Sequence, residues 1–217
     1  NVYVTPGYSG NMGTAGSPLA LGTLGTFKYG GTGQYAYITK AANAFTLYVD
    51  RGVFSVAGAG TCTTMYVGDA TVSSTIATTT TIYGLTSGSN ITVETSANAL
   101  VTLKSYGIVT VNSRPVTTAT IVGANGRLIS RETTLITTGN VENGAIYNKQ
   151  SSASDTTINV FGRGSLVTPA GNNYPTTNII TNGNFYGGGG YIATVNGAAL
   201  TVTTATYFGA QGSGPES

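Results

Sequence analysis

The chain has 217 residues, of which 7 % are charged, with a net charge of +2 and no histidine. That length allows one large domain or two small ones, with about 70 % of the unfolded surface buried. The nine basic residues are dispersed, which excludes the clustered Lys and Arg of a nucleic-acid footprint, and the missing histidine excludes Ser-His-Asp chemistry and the usual zinc ligand.

Low charge alone would suggest disorder, but hydrophobic residues reach 40 % and the chain is rich in Val, Ile, Thr and Tyr. A folded, all-β protein is expected. The first residue is Asn, which points to processing or to a start inside a longer product. Residues 1–20 read as an N-terminal arm: Val2-Tyr3-Val4 alternates as a strand does, and a Gly/Ser/Thr/Ala-rich stretch follows. Such an arm has few large apolar groups of its own, so Val2, Tyr3, Val4 and Tyr8 are candidate subunit contacts, either as a strand added to a neighbour's sheet or as a clasp.

Residues 21–207 form the β-rich domain, with a subdivision expected near 60–70. Apolar and polar residues alternate at Thr46-Leu47-Tyr48-Val49, Asn90-Ile91-Thr92-Val93, Gly107-Ile108-Val109-Thr110-Val111 and Leu200-Thr201-Val202-Thr203. This is the pattern of strands with one buried face, and Thr suits the outer positions. Between such runs stand Tyr29-Gly30-Gly31, Ser87-Gly88-Ser89-Asn90 and four Asn-Gly pairs, at Asn125-Gly126, Asn143-Gly144, Asn182-Gly183 and Asn196-Gly197. Asn-Gly accepts the positive φ of tight hairpins. The fold expected is an antiparallel β-sandwich or barrel with Gly-rich arms; the alternative is an irregular parallel β-helix, because no sequence repeat of fixed period is visible. The best helical window is 127–135, and no spine-length helix is found.

The carboxylates are Asp50, Asp69, Glu94, Glu132, Glu142, Asp155 and Glu216. No two have a spacing that announces a glycosidase pair, and the expected role is solvation or pairing with Arg51 and Lys104. Asp50 with Asp69 or Glu94 is the pairing that sequence leaves open. No catalytic residue, cofactor or metal ligand is assigned, and no enzyme is expected. Cys62 stands alone, so no intrachain disulfide forms and a small buried thiol is expected. No run of about 18 apolar residues suggests a membrane span. Gly187 to Gly190 lacks the Lys-Ser/Thr ending of a phosphate loop and reads as a turn between Tyr186 and Tyr191. Thr runs at 78–81 and 201–204 raise ice binding, but no Thr ladder at one repeated spacing is visible. Asn90-Ile91-Thr92 is a glycosylation sequon.

Between Arg163 and Glu216 there is no charged residue at all. A surface that docks against neighbours loses little by lacking charge, since buried unpaired charge is costly. Fourteen Tyr against six Phe suit such contacts. Tyr186, Tyr191 and Phe208 join the candidate contacts, and residues 208–217 read as a C-terminal tail.

Two stretches carry a resemblance. "LGTLGTFKYGGTGQYAYITKAANAFTLYVDRGVFSVA" (21–57) resembles the opening of tailed-bacteriophage virion proteins, with a short strand, a Gly turn and an aromatic alternating strand. "SYGIVTVNSRPVTTATIVGANGRLI" (105–129) is similar to the tyrosine-glycine strand of the same group, with Ile108 where that group usually has Trp. The resemblance implies a capsid decoration or cement protein located in the virion, non-enzymatic, partnered by itself, as a trimer, and by a major capsid protein. The alternatives are a subunit of an extracellular filament or cell-surface layer and, less favoured, a β-helical host-binding spike or carbohydrate-active protein.

Overall fold

The computed structural model describes residues 1–31, 35–153, 155–161, 163–168, 177–187 and 199–208, with the backbone alone for Phe161, Ser165, Thr168 and residues from 177 onward. The described residues form strands and turns only. Among them no helix is long and apolar enough to cross a membrane. The window at 127–135 is not helical: it is strand β10 (Arg127–Arg131) followed by a turn, as its β-branched residues favour.

Strand pairing overturns the antiparallel sandwich. Every pairing between named strands is parallel, and the chain winds as a β-solenoid, the alternative expected from the sequence. Each coil contributes two strands, so two parallel sheets face each other. The first sheet stacks β1 (Val2–Val4), β3 (Thr26–Tyr29), β5 (Ala44–Gly84) at Thr46–Val49 and again at Thr81–Gly84, β7 (Leu100–Ser105), β9 (Val116–Val122), β11 (Ile136–Glu142) and β13 (Thr157–Phe161). The second stacks β2 (Leu19–Ala20), β4 (Ala36–Thr39), β5 at Phe54–Ala57 and at Thr71–Ser74, β6 (Asn90–Val93), β8 (Ile108–Asn112), β10, β12 (Ile146–Lys149) and β14 (Ser165–Thr168). The strands β15 (Thr177–Gly187) and β16 (Ala199–Phe208) each run through both sheets.

β5 explains the geometry. Its 41 residues would reach about 135 Å if straight. Instead they wrap about two coils without a break in extended conformation, and so belong to both sheets in turn. The expected subdivision near 60–70 falls inside this continuous run.

The coils differ in length. Arg127 pairs with Ile146 and Thr138 with Thr157, two equal steps along the chain. The step from Leu100 to its partner Val116 is shorter, and the step from Thr177 to Ala199 is longer. The corners absorb the variation, so strand register survives while the sequence period blurs.

Alternation still decides which side chains enter. Leu47, Ile82, Leu103 and Ile158 point in from the first sheet, and Phe54, Val72, Ile91, Val109, Leu128 and Leu166 from the second, all within one buried core. The sheets touch across it through Phe54, whose ring centroid lies 6.0 Å from Phe27 and 5.5 Å from Tyr29. Cys62 is buried as expected, and burial pushes its thiol up to about 12.

The three described Asn-Gly pairs do not make hairpins. Asn143 (φ 56°) and Gly144 (φ 86°) turn a corner between two strands of different sheets. In the corner at 123–126 the left-handed residue is Gly123 (φ 85°) rather than Gly126. Asn182-Gly183 lies inside β15, and Gly197 lies outside the described residues.

The threonine face and the candidate functional site

The first sheet turns outward a column with one residue per coil. Thr26 pairs with Thr46, and Thr81, Thr102, Thr118, Thr138 and Thr157 follow in unbroken register. Thr64 stands in the same relation to Tyr66 as Thr46 does to Tyr48, and takes the matching place on the coil between. The Thr ladder that the sequence hides is therefore present. Its members are unevenly spaced along the chain but one strand spacing apart in space. Beside it runs a second column: Lys28, Tyr48, then Tyr83, Lys104, Thr120, Asn140 and Asn159. Tyr48, Tyr66 and Tyr83 stack ring on ring at 4.6 and 5.3 Å, within 20° of parallel. The lower part is a polar ladder in which Asn159 donates to Asn140 and Asn140 to Thr120. This face is therefore lined by hydrogen-bonding and aromatic groups, with Lys28 and Lys104 among its charges. The stacked rings and lysines interrupt any flat Thr lattice over the first coils, so ice binding gains nothing from the ladder there.

The second sheet presents a different surface. Tyr35 and Tyr37, stacked at 6.2 Å, border a shallow groove of about 280 Å³ floored by Val53, Ser55, Thr71 and Ser73. Small residues on two successive coils beside tyrosines on the previous one create the step. Tyr35 remains 45 % exposed. An open aromatic edge beside several hydroxyls, with no charge among the described lining residues, has the chemistry that suits a neutral polyhydroxylated ligand.

The contact candidates read from the sequence are separated by the fold. Val2 and Val4 are half-buried against the chain's own core and their strand pairs with Phe27–Tyr29; Tyr3 is exposed, and Tyr8 donates to the Asn11 carbonyl. Tyr186 pairs with Val167 and with Phe208 at the far end of the solenoid. Tyr191 lies outside the described residues.

Asp50, Asp69 and Glu94 each bond to a different group. Asp50 pairs with Lys28 at 3.4 Å, not with Arg51 or Lys104; Asp69 accepts from Thr86 and Glu94 from Asn112. Among the described residues, no group of three His, Cys, Asp or Glu could hold a metal. The ionisable groups that sequence reasoning missed are the buried ones. Lys40 donates to the carbonyls of Gly22 (2.6 Å) and Leu24 (2.8 Å), and Arg114 to those of Ile76 (3.1 Å), Asn98 (3.0 Å) and Ala77 (3.4 Å). Both are fully buried where the chain passes from the second sheet back to the first. Strand pairing lapses there, and a cation with several N–H groups satisfies several carbonyls at once. The same corner two coils further on holds Lys149 and Asp155, with Tyr147 on the strand that leads into it, all fully buried. No substrate can reach these groups.

Compared with models of known protein families, with curated proteins and with solved structures, the chain matches none.

Proposed function

We propose that the chain is a non-enzymatic structural subunit of a viral particle, built as a rigid rod whose first-sheet face docks against copies of itself and against a shell protein. The observation that carries this reading is the ladder of Thr, Tyr and Asn along that face, a surface of hydrogen-bonding groups with few charges to desolvate. A solenoid lengthens by adding coils without enlarging its cross-section, which favours a projecting, spike-like element over a compact shell clasp. The test is location: antibodies against the recombinant chain, applied to particles purified from the source, label projections or the shell surface. Particles that carry no label overturn the viral reading, and homopolymer filaments formed by the chain alone point instead to a surface filament.

The Tyr35–Tyr37 groove supports an added role, capture of a neutral glycan on a host surface. Glycan-array binding that Tyr35→Ala abolishes is the expected result. Turnover of a bound polysaccharide would replace binding by catalysis and overturn the non-enzymatic reading.

A further inference from the structure

The cluster at 147–155 is closed to any outside substrate, so its chemistry is with itself. Lys149 Nζ lies 3.7 Å from Asp155 Oδ2, and both side chains are completely buried. The carboxyl group is held at both oxygens: the Ile136 backbone N–H donates to Oδ1 at 2.8 Å and the Tyr147 hydroxyl to Oδ2 at 2.6 Å. Ser130 Oγ stands 2.9 Å behind that hydroxyl. The Lys149 nitrogen is held on its other side by the carbonyls of Ser151 (3.2 Å) and Ala153 and by Ser151 Oγ (3.3 Å).

We propose that Lys149 and Asp155 condense into an intramolecular amide bond, a covalent strap across the corner between β12 and β13. Transfer of one proton from ammonium to carboxylate gives the neutral amine and the carboxylic acid. Two N–H groups of that amine are matched by the carbonyls of Ser151 and Ala153, which directs the lone pair to the carboxyl carbon. Nitrogen attacks Cγ, and Oδ1 takes up the negative charge under the Ile136 N–H, which has the geometry of an oxyanion donor. Oδ2 already carries the acid's proton and receives a second from Tyr147. The Cγ–Oδ2 bond breaks, and Oδ2 leaves as water. The nitrogen's surplus proton restores the Tyr147 hydroxyl. One C–N bond forms, one C–O bond breaks, one water is released, and no oxidant or cofactor enters.

Two physical terms favour the step. Burial disfavours both charges: it lowers the Lys149 ammonium and raises the Asp155 carboxyl from their ordinary values. An ion pair in this position retains a desolvation penalty, and the amide carries no charge. Fixed placement supplies the second term, because reactants held in contact behave as if at very high concentration. The released water leaves a corner that water does not readily re-enter.

The decisive measurement is the intact mass of the purified full-length chain, expected about 18 Da below the sequence mass. Tryptic digestion should fail after Lys149 and yield one internally looped peptide from Glu132 to Arg163, with no backbone fragments resolved between 149 and 155. Lys149→Arg should restore the full mass, and Tyr147→Phe should lower the strapped fraction in freshly folded protein. A wild-type chain at its full sequence mass overturns the proposal. So does a mass deficit of the same size that persists in Lys149→Arg, since that would be cyclisation of an aspartate onto its own backbone.

Discussion

The two corners of a coil close the same gap by partly different means. Where the chain leaves the first sheet, the turn is made by small and left-handed residues: Gly123, Asn143 and Gly144, with Ser89 and Ser105 hydroxyls bonded to nearby backbone. Charges there are outside, as with Asp50 and Lys28, whose side chains are nearly half exposed. Where the chain leaves the second sheet, the turn is filled from within by Lys40, Arg114 and Lys149, each bonded to carbonyls of its own or other coils. Left-handed residues also occur at the second kind of corner, at Asn43, Gly58, Ser113 and Glu132, so what sets it apart is the buried cations. A chain with so few charges places three of its nine basic residues where none would be expected.

The comparison breaks most sharply at Arg114. Arg114→Met keeps the apolar stem but leaves the carbonyls of Ile76, Asn98 and Ala77 without that donor. A loss of about 3–5 kcal/mol is expected in urea unfolding. An effect below about 1 kcal/mol would mean that water fills the place of the guanidinium.

Alkali should also strike the cation-filled corner first. Cys62, which lies in the field of Arg114, and Tyr147, bonded to Asp155, both have folded values raised by burial, Cys62 from 9.0 to about 12 and Tyr147 well above 10.0. The unfolded chain releases these protons earlier than the folded one. Their stabilising contribution is therefore complete below pH 9.0 and is lost as pH rises toward about 12. Loss of a few kcal/mol over that window is expected from equilibrium unfolding at stepped pH, with Cys62→Ala flattening the slope. A flat stability profile from about pH 8 to 11 would contradict the burial of these groups.

At the other corner the effects shrink. Gly144→Ala forces an L side chain into φ 86° and should cost about 1–2 kcal/mol. Smallest is Asp50→Asn, which removes an exposed ion pair and should change stability by less than about 1 kcal/mol, with the difference vanishing in molar salt. If it rivalled Arg114→Met, the contrast between corners would fail.

Much of the local structure is legible in the sequence, because alternation at Thr46–Val49, Asn90–Val93 and Ile108–Val111 reports strands with one buried face. Pairing direction is not legible there, since parallel and antiparallel strands share that alternation. The Asn-Gly pairs misled for a physical reason: Asn and Gly permit a tight turn without enforcing one, and Asn182-Gly183 lies within β15 at a register irregularity where that strand passes from one sheet to the other. The Thr ladder was hidden by corner length, which makes the interval from Thr81 to Thr102 longer than the next, from Thr102 to Thr118. The buried cations gave no signal, because one Lys or Arg beside a turn looks the same whether it points out or in. The groove at Tyr35 depends on side-chain size on three successive coils, a relation visible only once register is known.

Parallel stacking of successive coils has a mechanical consequence. The backbone hydrogen bonds between coils lie along the axis of the rod, so tension between its ends pulls on them head-on. The load falls on one coil boundary after another rather than on the whole ladder together. A stretched molecule would therefore yield at its weakest boundary, release one coil, and hold again at the next. Freeing a coil such as the one from Arg127 to its partner Ile146 would add roughly 60–70 Å of extended chain. Force applied across the rod instead shears many bonds together, and the same protein becomes stiff.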